Sequence, residues 1–211
     1  MSGEKQSNAH SVLILVASTF AVVAIVAVLA ILTARGLYRI ERKIVEQRTQ
    51  EIQALVSSAQ KHPHDLSFGN SILAIAEGDN DFLAVYATAS LGDLGEAARP
   101  IIPRIARLMN ARNGTVRREA ARSLSRLGPI SEDALPLLVA KIQSDSDYDV
   151  TYFAVEAIGA IGKPSALPVL RTKLADSDGN LSEIIQVEIN RLEAIESTSS
   201  LDDSPILNDR T

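Results

Sequence analysis

Apolar positions along this chain fall into three regimes. From Val12 to Leu32, 21 consecutive residues carry no charge and only Ser18 and Thr19 are polar. From about Ile44 to Ile195 apolar residues recur at helical spacing instead. From Glu196 to Thr211, four Ser and four acids among sixteen residues leave little to bury, which predicts a disordered acidic tail.

The first regime predicts a membrane span. Twenty-one residues at the helical rise cover roughly 30 Å, the thickness of a bilayer's hydrocarbon core. A signal-peptide core is shorter, about 7–15 residues, and ends in a small-residue cleavage site, whereas this run ends in Thr33-Ala34-Arg35-Gly36. Cations cluster after it: Arg35, Arg39, Arg42, Lys43 and Arg48. The positive-inside rule then puts that side in the cytoplasm and the amino terminus outside. The expectation is a single-pass protein with a short extracytoplasmic stretch over 1–11, a transmembrane helix over 12–34 and a basic juxtamembrane helix over 35–48.

The second regime repeats. Gly95, Gly128 and Gly162 are 33 and 34 residues apart. Twelve positions before them stand Leu83, Val116 and Val150; eight before, Ala87, Ala120 and Ala154. Leu91, Leu124 and Ile158 lie four before, and Leu94, Leu127 and Ile161 immediately before. That spacing makes one face of a helix of about three turns, and each glycine falls where a left-handed cap is wanted. A second apolar helix opens near Pro103, Pro136 and Pro168, a residue suited to the first helical turn. Polar turns follow it, at 110–114, 144–147 and 176–180. One such unit cannot bury its own stripe, so units must stack. The segments 44–60 and 65–77 predict a divergent first pair, and 181–195 a lone closing helix.

The 34-residue period lacks the tetratricopeptide tryptophan pattern and the ankyrin T-P-L-H. The segments Val116-Arg117-Arg118-Glu119-Ala120-Ala121 and Val150-Thr151-Tyr152-Phe153-Ala154-Val155, with Ala134-Leu135-Pro136 and Ala166-Leu167-Pro168, resemble the short HEAT repeats of the bilin-lyase type. The resemblance covers roughly residues 64–195 and implies an all-α solenoid of helix pairs; with the anchor, the expected fold is a transmembrane helix followed by a HEAT-like domain over 49–195 and a tail over 196–211. It also implies that Arg117, at the family's repeated arginine, is an intramolecular turn partner. The first unit is looser, because Leu83 is followed by Ala84 rather than Arg.

Composition removes several chemistries. With no Cys and no Trp, disulfides, Cys-ligated zinc, iron–sulfur clusters and thiol catalysis are excluded. Asp145, Asp147, Asp149 and Glu156 have EF-hand-like spacing, but Val150 stands where the loop glycine belongs, so an acidic turn with a helix cap is favoured. His62, His64 and Asp65 flank a proline in a loop, short of the ligands a metal site needs. No triad and no phosphate loop can be assembled from these residues. The expectation is therefore no enzyme, no cofactor and no metal.

Charge is unevenly placed although the net value is −5. Residues 99–126 hold eight arginines and one acid, while 131–211 hold fifteen acids and six bases. The arginines read equally as a solvated face or as a site for a partner. The candidate partner-binding residues are Arg118, Arg122 and Arg126 on one helix stripe, and Arg104, Arg107, Lys141 and Lys173 on the other layer. Nucleic acid is disfavoured, because the basic segment lacks stacking aromatics. The reading is a membrane-anchored, non-catalytic scaffold or adaptor for an acidic protein partner, with its repeat domain cytoplasmic. The alternative is an accessory or catalytic subunit resembling the bilin lyases.

Overall fold

The computed structural model describes the backbone of residues 2–202 and the side chains of residues 29–199. The chain divides into two compact units, Met1–Gln47 and Arg48–Thr211. Helix α1 runs over Ser2–Lys61. In the first unit most of the large apolar side chains described on it, such as Leu32, Leu37 and Ile40, are more than half exposed.

This overturns the expected membrane span at 12–34: among the described residues no helix is long and apolar enough to cross a membrane. Residues 12–28 of that stretch lie outside the described side chains. Its described side chains, at 29–34, run straight into Arg35, Arg39, Arg42 and Lys43. The anchored fold class, the membrane as partner through 12–34, the single-pass topology with its outside amino terminus, and the cytoplasmic placement that rested on it are withdrawn.

The second unit is all helix among the described residues. After the end of α1 come α2 (Leu66–Ala76), α3 (Asp81–Leu91), α4 (Ile102–Arg107), α5 (Gly114–Leu127), α6 (Leu135–Ser144), α7 (Tyr148–Ile161), α8 (Leu167–Ala175) and α9 (Gly179–Asp202). The odd-numbered helices stack side by side in one layer and the even-numbered ones in the other, as the packing of α3 on α5, α5 on α7 and α7 on α9 shows. The end of α1 opens the first layer: Ile52 and Ala59 are buried, and Gln53 Nε2 donates to the Tyr86 hydroxyl of α3 at 2.8 Å.

Local chemistry sets these boundaries. Asp65, Asn80, Asn113 and Asp147 cap α2, α3, α5 and α7 by accepting backbone N–H groups. Each repeat glycine has positive φ, at 56°, 60° and 75° for Gly95, Gly128 and Gly162. Only Gly162 closes its helix in the left-handed region; Gly128 turns instead at ψ −132°. A 3-10 turn then leads to Ile102-Pro103, Leu135-Pro136 or Leu167-Pro168, where proline sits in the first turn of the next helix.

The core follows the repeat. Ala120, Leu124, Ala154 and Ile158 are fully buried, and so are Leu138, Ile142 and Leu170 across the layers. Burying each large aliphatic side chain contributes about 1.5–3 kcal/mol, which a lone helix pair could not accumulate. In the first full repeat Leu83, the counterpart of Val116, is only half-buried, while its neighbour Ala84 is buried. α3 and α5 approach closely where the Ser123 hydroxyl donates to the Thr88 carbonyl at 2.8 Å beside Gly92. α9 continues past Ile195 to Asp202, so part of the expected tail is helical; residues 203–211 lie outside the described residues.

Candidate partner-binding surface

The seven cations singled out in the sequence fall on two surfaces. On the odd-numbered layer, Arg118, Arg122 and Arg126 share the outer stripe of α5. Arg118 Nη1 donates to Asp149 of α7 at 3.0 Å. Arg126 pairs with Asp93 and donates to the Ala89 carbonyl at 3.3 Å, reaching back to the preceding repeat. Arg122 lies 5.6 Å from the centroid of the Phe153 ring, a cation–π distance.

The other four stand on or next to the even-numbered layer. Arg104 of α4 donates to Asn70 Oδ1 and Glu77 Oε2, both at 2.8 Å. Lys141 of α6 donates to Asp145 at 3.3 Å. Arg107 is exposed and Lys173 of α8 half-buried, and neither makes an ion pair among the described residues. They form no single cluster.

Arg117 takes the turn-partner role. Its Nη1 donates to the Ala111 and Arg112 carbonyls at 3.1 and 3.2 Å, and its Nε to Asp145 at 3.1 Å. Burial works to raise the Asp145 carboxyl, but the Asp147 backbone N–H, Arg117 and Lys141 outweigh it and hold it below the ordinary carboxylate range. Asp147 caps α7 through the Asp149 and Val150 N–H groups. The run at 145–149 is thus an inter-repeat turn, and among the described residues no group of three or more His, Asp or Glu is disposed to hold a metal.

Much of the arginine surplus therefore serves the fold, since acids from adjoining repeats pair with Arg104, Arg117, Arg118 and Arg126. What remains is an aromatic surface beside Arg122. Tyr148, Tyr152 and Phe153 of α7 form a chain of rings. Tyr148 and Tyr152 stack at 6.4 Å, and Tyr152 meets Phe153 edge-on at 5.4 Å. With Ile184 and Val187 of α9 they line an open groove of about 620 Å³. Tyr148 is 50% and Val187 57% exposed. Aromatic and arginine side chains around an apolar centre are the composition that dominates binding energy at protein interfaces.

Residue-by-residue reading missed these rings, although the signal was present. Tyr148, Tyr152 and Phe153 all lie off the buried stripe of Val150, Ala154, Ile158 and Ile161. Three of the chain's four Phe and four Tyr fall within six residues there; Tyr148 is exposed, Tyr152 half-buried, and Phe153 half-buried against the core.

Two stacked layers of paired helices define a helical-repeat protein. The profile of the HEAT repeats matches residues 70–151 and 103–187, together more than half of the chain, which belongs to that family. It is 31% identical over 107 residues to the uncharacterized phycocyanin operon protein Z of Pseudanabaena tenuis, a match covering 48% of this chain and 52% of that protein. The chain thus spans about half the length of that curated relative. Its fold is similar to a chain in the structure of the CpcE–CpcF complex of phycocyanin lyase from Nostoc sp., with a TM-score of 0.50 and 23% identity over 72% of this chain and 62% of that one. That likeness concerns the fold.

Proposed function

We propose that this chain is a HEAT-repeat subunit of a phycobiliprotein-handling assembly, built like a phycocyanin lyase subunit, that binds a protein partner through the outer face of α5, α7 and α9. Its contribution is a shaped surface rather than a reacting side chain. The observation that carries this is the ring chain Tyr148–Tyr152–Phe153, with Arg122 on one side and Val187 on the other. Solenoids present extended surfaces of this kind to proteins. The phycocyanin operon relative and the lyase-like fold supply the class of partner.

The acidic-partner idea gives way to an apolar one at this surface. Asp149 neutralises Arg118, and Arg122 stands over a ring with Glu119 3.9 Å away, so neither offers a bare charge. The test is calorimetric titration of the full chain with apo-phycocyanin α and β subunits and, separately, with a HEAT-repeat lyase subunit. Saturable binding to one of them, weakened at least tenfold by Tyr148→Ser with Val187→Ser, supports the proposal. Binding that the double variant leaves unchanged would overturn it, as would no binding to any of the three.

A further inference from the structure

We infer that the cleft between the α2–α3 turn and the α4–α5 turn is a seat for an arginine side chain supplied by a partner protein. The cleft is about 520 Å³ and lies apart from the ring-lined groove. The next repeat shows what belongs there. One repeat on, 33 residues later, Ala84 corresponds to Arg117, Gly78 to Ala111 and Asp79 to Arg112. In that repeat the Arg117 guanidinium fills the space, donating to the Ala111 and Arg112 carbonyls. In the earlier repeat the side chain stops at the Ala84 methyl, which lines the cleft together with Gly78 and Asp79. No hydrogen bond to the Gly78 or Asp79 carbonyl is made among the described residues.

The charges around the cleft fit that occupant. Counted from the helix caps Asn113 and Asp147, which are 34 residues apart, Arg107 corresponds to Lys141, which in the filled repeat stands beside Arg117 and shares Asp145 with it. A neighbouring cation is thus part of the seat; Arg112 is a second cation at this cleft, alongside the acids Glu77, Asp79 and Asp81. The carboxylate does differ, because Ala111 stands where Asp145 would be. Asp79 and Asp81, at the cleft and without ion pairs among the described residues, supply acid in its place. Arginine is the side chain whose planar fork can meet two carbonyls and a carboxylate at once. The seat is independent of the proposed function, since its walls come from other turns.

The test is an amide-resolved NMR titration of the full chain with N-acetyl-arginine methylamide, against the neutral isostere N-acetyl-citrulline methylamide. The inference expects saturable shifts at Gly78, Asp79 and Asp81, at least fivefold weaker for citrulline. Ala84→Arg, which fills the seat from within, should abolish them while thermal unfolding remains cooperative. If that variant does not fold, Ala84→Met occupies the same space without charge. Equal response to citrulline, no response, or shifts undiminished in the filled variant would each overturn the inference. Tyr148→Ser with Val187→Ser should leave the arginine response unchanged, which separates failure here from failure at the groove.

Discussion

The Glu188 carboxylate of α9 rests directly on Gly159 of α7, so close that a methyl group at position 159 would overlap it. Glu188 is buried, and among the described residues its ion-pair partner is Arg191, at 3.4 Å and itself more than half exposed. Burial pushes its carboxyl above the ordinary range, the Glu156 charge adds to this, and Arg191 opposes it. The last helix of the stack is thus docked through a group whose charged form burial disfavours.

Gly159→Ala should expel that carboxylate toward water. Alanine gains about 1 kcal/mol in a helix interior relative to glycine, which offsets the displaced contact, so stability near neutral pH should change little. The discriminating readout is the Glu188 titration by carboxyl NMR, which should fall back to the ordinary carboxylate range. A titration still raised in the variant would show that the carboxylate does not depend on Gly159.

The same group makes stability depend on pH with a definite sign. A carboxyl whose folded pKa is raised binds its proton more tightly folded than unfolded, so its contribution is lost as pH climbs from the ordinary carboxylate range through the raised value. Glu188→Gln should flatten the urea-midpoint profile across that window and raise the midpoint above it. A variant profile that parallels the wild type would refute this.

Asp145 acts in the opposite sense. Its lowered carboxyl contributes stability above the ordinary carboxylate range that is lost as pH falls through the depressed value. Asp145→Ala removes the partner of both Arg117 and Lys141. Leaving Lys141 unpaired and Arg117 with only Asp147, 4.0 Å away, should cost about 2 kcal/mol by urea unfolding. A loss below about 0.5 kcal/mol would mean that the turn does not need its carboxylate.

The stack was legible because it is written in periodicity. The buried alanines and the prolines opening α4, α6 and α8 follow from local rules and stand where those rules require. Of the three repeat glycines, by contrast, only Gly162 is a left-handed cap, and α3 is capped at Gly92, before Gly95. The length and uncharged composition of the run at 12–32 predict a span, but among the described residues no helix is long and apolar enough to cross a membrane. The arginines misled for another reason: composition counts charges, whereas the partners Glu77, Asp93, Asp145 and Asp149 come from adjoining repeats. The ring cluster of α7 was visible as residues off the buried stripe. That it faces Val187 and Ile184 across a groove depends on how α9 closes the stack, which no local pattern encodes.

A buried position offers a control for the groove. Ala120 is fully enclosed between helices of the odd-numbered layer, so Ala120→Glu should lose cooperative melting and all binding together. Retained helicity with a cooperative transition in that variant would contradict the packing.

The most direct measurement is the dissociation constant of the candidate partner subunit for the wild-type chain and for Tyr148→Ser with Val187→Ser, each with its melting curve. The proposed surface predicts at least a tenfold loss of affinity with the melt unchanged, since both side chains are half exposed and support no core. Undiminished affinity in a folded double variant would show that the face of α5, α7 and α9 is not where the partner binds.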